Sequence, residues 1–259
     1  MLTEAQKRHF VKEGYLHIPG AVPKVMIDAA RRAVNYSIGN VGIGGEDLSK
    51  HRSGFFCHEL LGVPVITDMF NKTPVMRIAE SLMGEGNVLP VERAKTYPRF
   101  PMAPDQEPSS FRGHIDGIGS GTNGTAKGDY KRSFTAFAVI YLADVPEPHS
   151  GNFTVFPRSH TFYADHFSKH GHEVLANGMP RLDLPQEPLM VTGKAGDLVI
   201  AHHQVVHGAC SNASPNVRLA TIARLSHKDV KEVGRDAYTD IWREWPGLQE
   251  VLEEETETV

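Results

Sequence analysis

From about residue 88 to about residue 226 the sequence is a succession of short β-branched and aromatic segments, cut apart by Gly, Pro, Asn and Ser. The segments at 88–97, 134–143, 153–156, 188–191, 197–201, 204–206 and 217–225 read as strands. Short strands bury an apolar face only by stacking on other strands, so this texture predicts a sandwich or barrel. The stretch that precedes it reads differently. Thr3-Glu4-Ala5-Gln6 is a capping-box pattern opening a helix to Glu13, with Gly14 as its stop. A short strand follows at 15–18. Pro23 opens a helix through Tyr36 with Met26, Ala29, Ala30, Ala33 and Val34 on one face, and Pro74 opens another carrying Val75, Ile78, Ala79 and Leu82, ended by Gly84. Residues 38–56 and 101–133 read as loops, and the chain closes on a helix around Trp242 and Trp245 followed by an acidic tail. The expected fold class is therefore mainly β with flanking helices. With no internal repeat and no linker, one domain spanning 1–259 is expected: a mostly helical part at 1–87, the β core at 88–226, and the C-terminal helix and tail at 227–259.

Composition narrows the function classes. The 259 residues carry a formal net charge of -4, which gives no basis for nucleic-acid binding. No apolar run is long enough for a membrane helix, and the first residues lack the apolar core of a signal peptide. Two cysteines, Cys57 and Cys210, do not make a disulfide framework, so a reducing, cytoplasmic location is expected. Fourteen histidines direct attention to metal binding, although His170 and His172, in a polar stretch, read as solvated.

Three features carry chemistry. His114-Ile115-Asp116 offers an imidazole and a carboxylate two residues apart, on one face if the segment is extended. His207, ending the apolar run after Gly196-Asp197, is the candidate third ligand. Two His and one carboxylate leave open positions on an octahedral ion, as in non-haem Fe(II) oxygenases, while zinc with a water in the fourth place competes for the same set. Arg218 sits on the apolar strand that follows, where a hairpin would bring it beside His207 with Ala220, Ile222 and Arg224 on its face. A buried guanidinium needs an anion, either an internal Glu or Asp or the far carboxylate of a dicarboxylate cosubstrate.

Together these features resemble the phytanoyl-CoA dioxygenase family. His114-x-Asp116, the 91-residue separation of Asp116 and His207, and the later Arg218 match its pattern. So do the segments Ser150-Gly151-Asn152 through Pro157-Arg158-Ser159-His160, Gly196-Asp197 through His202 to His207-Gly208, Asn212-Ala213-Ser214, and Phe10 with Gly14-Tyr15. The resemblance implies a double-stranded β-helix (jelly roll, cupin-like) and an Fe(II)- and 2-oxoglutarate-dependent dioxygenase that hydroxylates a small organic molecule, using O2 and releasing succinate and CO2. It implies His114, Asp116 and His207 as catalytic iron ligands and Arg218 as the partner of the cosubstrate's C5 carboxylate. Thr96 is a further cosubstrate candidate. Ala209 stands where the family often has a serine, leaving only backbone contact there, and Ile140 stands where an aromatic residue is common. Because Asp116 fills the carboxylate position, halogenation is not expected. Gly117–Arg132 has no counterpart; its glycines make it a candidate lid, with Lys131, Arg132 or Arg224 meeting a substrate group. The alternative is a non-oxygenase jelly roll, a cupin-type isomerase or ligand sensor, for which Arg218 would have no use.

Overall fold

The computed structural model describes residues 1–42, 54–119 and 125–257. The N-terminal helix α1 (Glu4–Glu13) begins at the expected cap: Gln6 N donates to Thr3 Oγ1 at 3.2 Å and Thr3 N donates to Gln6 Oε1 at 2.9 Å. It ends at Gly14, whose φ of 80° and backbone bond to Phe10 O close the last turn. Strand β1 (Tyr15–Ile18) follows, then α2 (Lys24–Tyr36), α3 (Pro64–Asn71) and α4 (Pro74–Met83). Thr73 caps α4, and proline holds its first position, where a missing N–H costs nothing.

The remaining strands are β2 (Ala94–Arg99), β3 (Ala136–Tyr141), β4 (Phe153–Val155), β5 (Leu189–Met190), β6 (Leu198–His202), β7 (His207–Ala209) and β8 (Arg218–Leu225). They form a five-stranded sheet in the order β1-β6-β3-β8-β2 and a three-stranded sheet in the order β5-β4-β7, with every pairing antiparallel. The molecule is thus mixed helix and antiparallel sheet, more helical than the strand texture alone implies.

Strand alternation divides the core. Along β3, Ala136, Ala138 and Ile140 join the cluster of Phe10, Ile27, Ile66, Phe70 and Leu82 from the helices. Phe137, Val139 and Tyr141 join Phe153 and Val155 of the smaller sheet. One face of the large sheet therefore buries the helices and the other meets the small sheet. Each fully buried Phe, Leu or Ile contributes on the order of 1.5–3 kcal/mol. Ile140 accordingly turns to the helices, and Tyr141 is the aromatic on the inner face, its hydroxyl donating to Val191 O at 2.8 Å and accepting from Phe153 N at 3.1 Å.

Several elements depart from expectation. In α2 the buried residues are Ile27, Ala30 and Val34, with Ala29 exposed. Helix α3 is additional to the elements read from the sequence, with Pro64 in its first turn and Ile66, Met69 and Phe70 buried. Helix α5 (Ser159–His170) has no sequence signal, because its buried face is His160, Tyr163, Ala164 and Phe167, at i, i+3, i+4 and i+7, with only one aliphatic member. Residues 204–206 are a buried turn, not a strand: Val205 N bonds His202 O at 3.0 Å, and Gln204 Nε2 donates to His160 O and Tyr238 O. The acidic C-terminal segment is helical, α7 (Gln249–Glu257), once the short α6 (Val230–Val233) and the turns carrying Trp242 and Trp245 are passed. Most of the loop expected at 38–56 lies outside the described residues.

His160, His202 and His203 are buried at 0–2% exposure, the first two against Trp242 and the third against His202 and Tyr238. Burial pulls His160 down to about 4 and the other two well below the usual imidazole value. The folded chain keeps all three neutral, whereas the unfolded chain protonates them near pH 6.5. Stability contributed by these groups is therefore present above about pH 6.5 and is lost as pH falls. At pH 6 the loss is about 0.8 kcal/mol for each, so about 2 kcal/mol for the three relative to pH 7.5. Urea unfolding at the two pH values measures it, and an unchanged midpoint would contradict the assignment.

Candidate functional site

The two sheets leave a cavity of about 500 Å³ between the inner face of the large sheet and β7 of the small one. The sequence-predicted metal ligands meet on its wall. His114 and His207 are locked together as a backbone pair, His114 N to His207 O at 2.9 Å and His207 N to His114 O at 3.0 Å. This bridge extends the small sheet by one more extended segment beyond β7, whose opposite edge pairs with β4. The ligand atoms of His114, Asp116 and His207 lie within 4.8 Å of one another. His114 Nε2 is 3.1 Å and His207 Nε2 3.9 Å from Asp116 Oδ1. His207 Nδ1 faces Val205 O at 2.9 Å, which fixes the proton there and leaves Nε2 as the donor atom toward the site. Arg224 pairs with the other carboxylate oxygen, Asp116 Oδ2. Asp116 thus divides its oxygens between the histidines and a guanidinium.

The electrostatics fit a cation. Burial pushes the Asp116 carboxyl up, but the hydrogen bond from His114, the adjacent His207 imidazole and the Arg224 charge outweigh it and hold it well below the carboxylate range. Burial and the neighbouring His114 pull His207 down to about 4, so its imidazole is neutral and its lone pair is free for coordination. Two imidazoles and one carboxylate converging on one point are a donor set that fits a divalent metal.

Arg218 lies on the facing wall, 4% exposed. The hairpin expected to bring it beside His207 does not form: β7 and β8 belong to different sheets, and the two residues meet across the cavity instead. Arg218 Nε donates to Gly151 O at 2.6 Å and its Nη1 to Tyr97 O at 3.1 Å. Among the described residues it has no carboxylate partner. Its register partner on β2 is a second cation, Arg99. Burial and Arg99 together pull Arg218 down to about 9, and burial lowers Arg99 as well. Gly151 makes the pair possible: at its φ of 72° a Cβ would lie 3.0 Å from the Arg99 Cβ and 3.3 Å from the Arg218 Cβ. The Asn212-Ala213-Ser214 turn braces the same end, Asn212 Nδ2 donating to Arg99 O at 2.7 Å. A buried guanidinium and a half-buried one, with no carboxylate partner among the described residues, make a pocket for a carboxylate.

Ala209 lines the cavity as expected from its place two residues after His207. Thr96 does not. It is buried on the opposite face of β2 from Lys95, Tyr97 and Arg99, which do line the cavity. The period-two alternation of Lys95, Tyr97 and Arg99 is the sequence signal that selects the right residues. Arg132 is also not at the rim: its side chain is 1% exposed and forks onto Glu244. The Gly117–Arg132 segment is anchored at both ends by a short ladder, Lys131 N to Gly117 O at 2.9 Å and Gly119 N to Asp129 O at 2.8 Å. A Cβ on Gly117, at φ 90°, would sit 1.9 Å from Lys131 O, so this glycine serves close backbone packing. Gly121 and Gly124 lie outside the described residues. His172, expected to be solvated, is half-buried against Tyr130, with Tyr130 Oη 2.8 Å from its Nδ1.

No protein-family profile and no curated protein matches the sequence. Solved structures do. The non-haem alpha ketoglutarate dependent carbocyclase SnoK from nogalamycin biosynthesis is 21% identical over 86% of this chain and 83% of its own, with a TM-score of 0.51. HygX from Streptomyces hygroscopicus, solved with nickel and 2-oxoglutarate bound, is 15% identical over 88% of each chain, with a TM-score of 0.53. AviO1 from Streptomyces viridochromogenes Tue57 is 15% identical over 89% of this chain and 98% of its own, with a TM-score of 0.55. At these identities the likeness establishes a shared fold. Among the described residues no helix is long and apolar enough to cross a membrane.

Proposed function

We propose that this chain is a non-haem Fe(II)- and 2-oxoglutarate-dependent oxygenase of the phytanoyl-CoA dioxygenase type, built on a double-stranded β-helix and acting on a small organic molecule. The observation that carries the reading is one cavity with a His-Asp-His cluster on one wall and, on the other, a buried Arg218 with no carboxylate partner among the described residues. HygX, of the same fold, takes nickel and 2-oxoglutarate together.

His114, Asp116 and His207 would hold the metal, and Arg218, with Arg99 behind it, the C5 carboxylate of oxoglutarate. When bound, iron and oxoglutarate supply a two-electron oxidation by O2, with oxoglutarate leaving as succinate and CO2. The chain's own work is geometric. Val205 O fixes the His207 tautomer, and Phe137 packs on the imidazole at 4.2 Å between ring centroids. Arg224 holds Asp116 Oδ2, so that Oδ1 stays with the histidines. Phe137, Val139, Phe153 and Ile222 line the space between the two ends and keep water from it. Asp116 occupies the carboxylate position that a halide would need, which favours hydroxylation or a related oxidation.

The test is substrate-independent. Anaerobic addition of Fe(II) and oxoglutarate should produce a visible metal-to-ligand charge-transfer band, and air should then convert oxoglutarate to succinate slowly. Arg218→Ala should weaken oxoglutarate binding by about 30-fold or more, the cost of a lost charge-assisted bidentate contact being about 2–4 kcal/mol, with metal affinity unchanged. Arg218→Lys should recover only part of it, since a point charge cannot reproduce the fork. Metal binding with no oxoglutarate band would return the chain to the isomerase or sensor class. Equal oxoglutarate affinity in wild type and Arg218→Ala would make the arginine structural.

A further inference from the structure

The chain as a whole is acidic, with a net charge of -4, yet its central cavity is lined by Arg93, Lys95, Arg99, Arg218 and Arg224. Asp116 is the one carboxylate among the described residues lining it. Two of these charges are accounted for at the deep end, where Arg99 and Arg218 face each other across the β2–β8 register. A third, Arg224, is paired with Asp116. Lys95 and Arg93 remain, and neither has a carboxylate within ion-pair distance among the described residues. They sit at the other end of the same wall. Lys95 is four residues from Arg99 along β2, which is about 13 Å of extended chain. The metal cluster lies nearer this end, since Arg224 follows Arg218 by six residues on β8 and touches Asp116.

Lys95 is not a solvated surface lysine. It is half-buried, its Nζ 4.5 Å from the centroid of the Phe55 ring, and burial together with the Arg224 charge pulls its ammonium below the usual value. A cation kept partly out of water and beside like charges is relieved by an anion. The aromatic rings of Phe55 and Tyr97 next to it provide an apolar surface for the body of such a molecule.

We propose that the substrate carries an oxyanion, a carboxylate or a phosphate, and that Lys95 and Arg93 hold it at the end of the cavity remote from Arg218. The cavity then has two anion poles, one for the cosubstrate and one for the substrate, with the metal cluster toward the substrate pole. This rests on the reading of Arg218 and Arg99 as the oxoglutarate end.

Calorimetry on protein loaded with Ni(II) and saturating oxoglutarate tests it with three probes: benzoate, phenyl phosphate and the neutral benzamide. At least one anion should bind ten-fold or more tighter than benzamide, and which anion wins separates a carboxylate substrate from a phosphate one. Lys95→Met should remove the preference, and Arg93→Gln, at an exposed position, should reduce it several-fold if the first variant misfolds. Oxoglutarate affinity should stay within two-fold in both. Equal binding of all three probes by the wild type overturns the proposal. A preference that survives both variants and disappears in Arg218→Ala also overturns it, by placing the anion at the deep end. Failure of oxoglutarate itself to bind is a separate result. It removes the functional reading, and the same titration without oxoglutarate still decides whether Lys95 and Arg93 select an anion.

Discussion

Replacing His207 by alanine is expected to abolish iron-dependent turnover, and His114→Ala and Asp116→Ala are expected to do the same. Three protein donors hold a ferrous ion and leave positions for two oxygens of oxoglutarate and for O2. The three positions fail for different local reasons. His207 is 5% exposed and held by Val205 O, so its loss removes the best oriented donor and leaves a void against Phe137. His114 is the exposed ligand, its side chain 60% accessible, and is placed by its backbone pair with His207 more than by packing. His114→Ala should therefore lose metal with little loss of stability. Asp116→Ala removes the negative charge and frees Arg224, leaving an uncompensated guanidinium beside the two imidazoles, a further penalty for a cation. Ni(II) titration followed by calorimetry, with circular dichroism on each variant, separates lost coordination from lost fold. Normal metal affinity and normal succinate formation in all three variants would remove the cluster from the chemistry.

The amino-acid sequence alone exposes some of these residues and hides others, for physical reasons. His114 and Asp116 stand out because a donor pair at i and i+2 needs only local geometry to share a face. Arg218 stands out because a guanidinium on an apolar strand is costly unless an anion meets it. The partnership between strands is what local pattern does not carry. The short turn after His207 implies a hairpin, whereas Asn212 and Ser214 build a corner that takes the chain from the small sheet to the large one. The neighbour of Arg218 is consequently Arg99, distant in sequence. Lys95 is readable in principle, as the middle cation in the alternation Arg93, Lys95, Tyr97, Arg99, but choosing which face of β2 turns inward requires the register with β8. Thr96 belongs to the wrong face for that reason. Helix α5 is illegible for a different one. Its buried stripe is built from histidine, tyrosine, alanine and phenylalanine, mostly residues that score as polar or small although their packed surfaces are apolar.

Glu244→Gln is expected to cost about 3–5 kcal/mol, a large part of a domain's stability. Arg132 and Glu244 are each 1% exposed at the side chain, and the fork is bidentate, Arg132 Nη1 meeting Glu244 Oε1 at 2.8 Å with Nη2 on Oε2. Thr135 Oγ1 donates to Oε2 at 2.8 Å and accepts from His227 N at 2.9 Å, so the carboxylate also anchors the start of β3 and the end of β8. Neutralising it strands a guanidinium that burial already pulls down to about 10. The consequence reaches the metal cluster. Lys131, next in sequence to Arg132, holds Gly117 by its backbone, and Gly117 follows Asp116 directly. Slackening the pair therefore loosens one metal ligand, and Ni(II) affinity should fall together with stability. The double replacement Arg132→Met with Glu244→Leu should recover most of the unfolding free energy, because an apolar pair removes the desolvation penalty of both charges. Urea unfolding of wild type, single and double variants, read beside Ni(II) affinity, checks both halves. A single variant as stable as wild type would mean that the pair is relaxed into water in solution. Unchanged Ni(II) affinity in the destabilised single variant would show that Asp116 is placed by His114 and Arg224 alone.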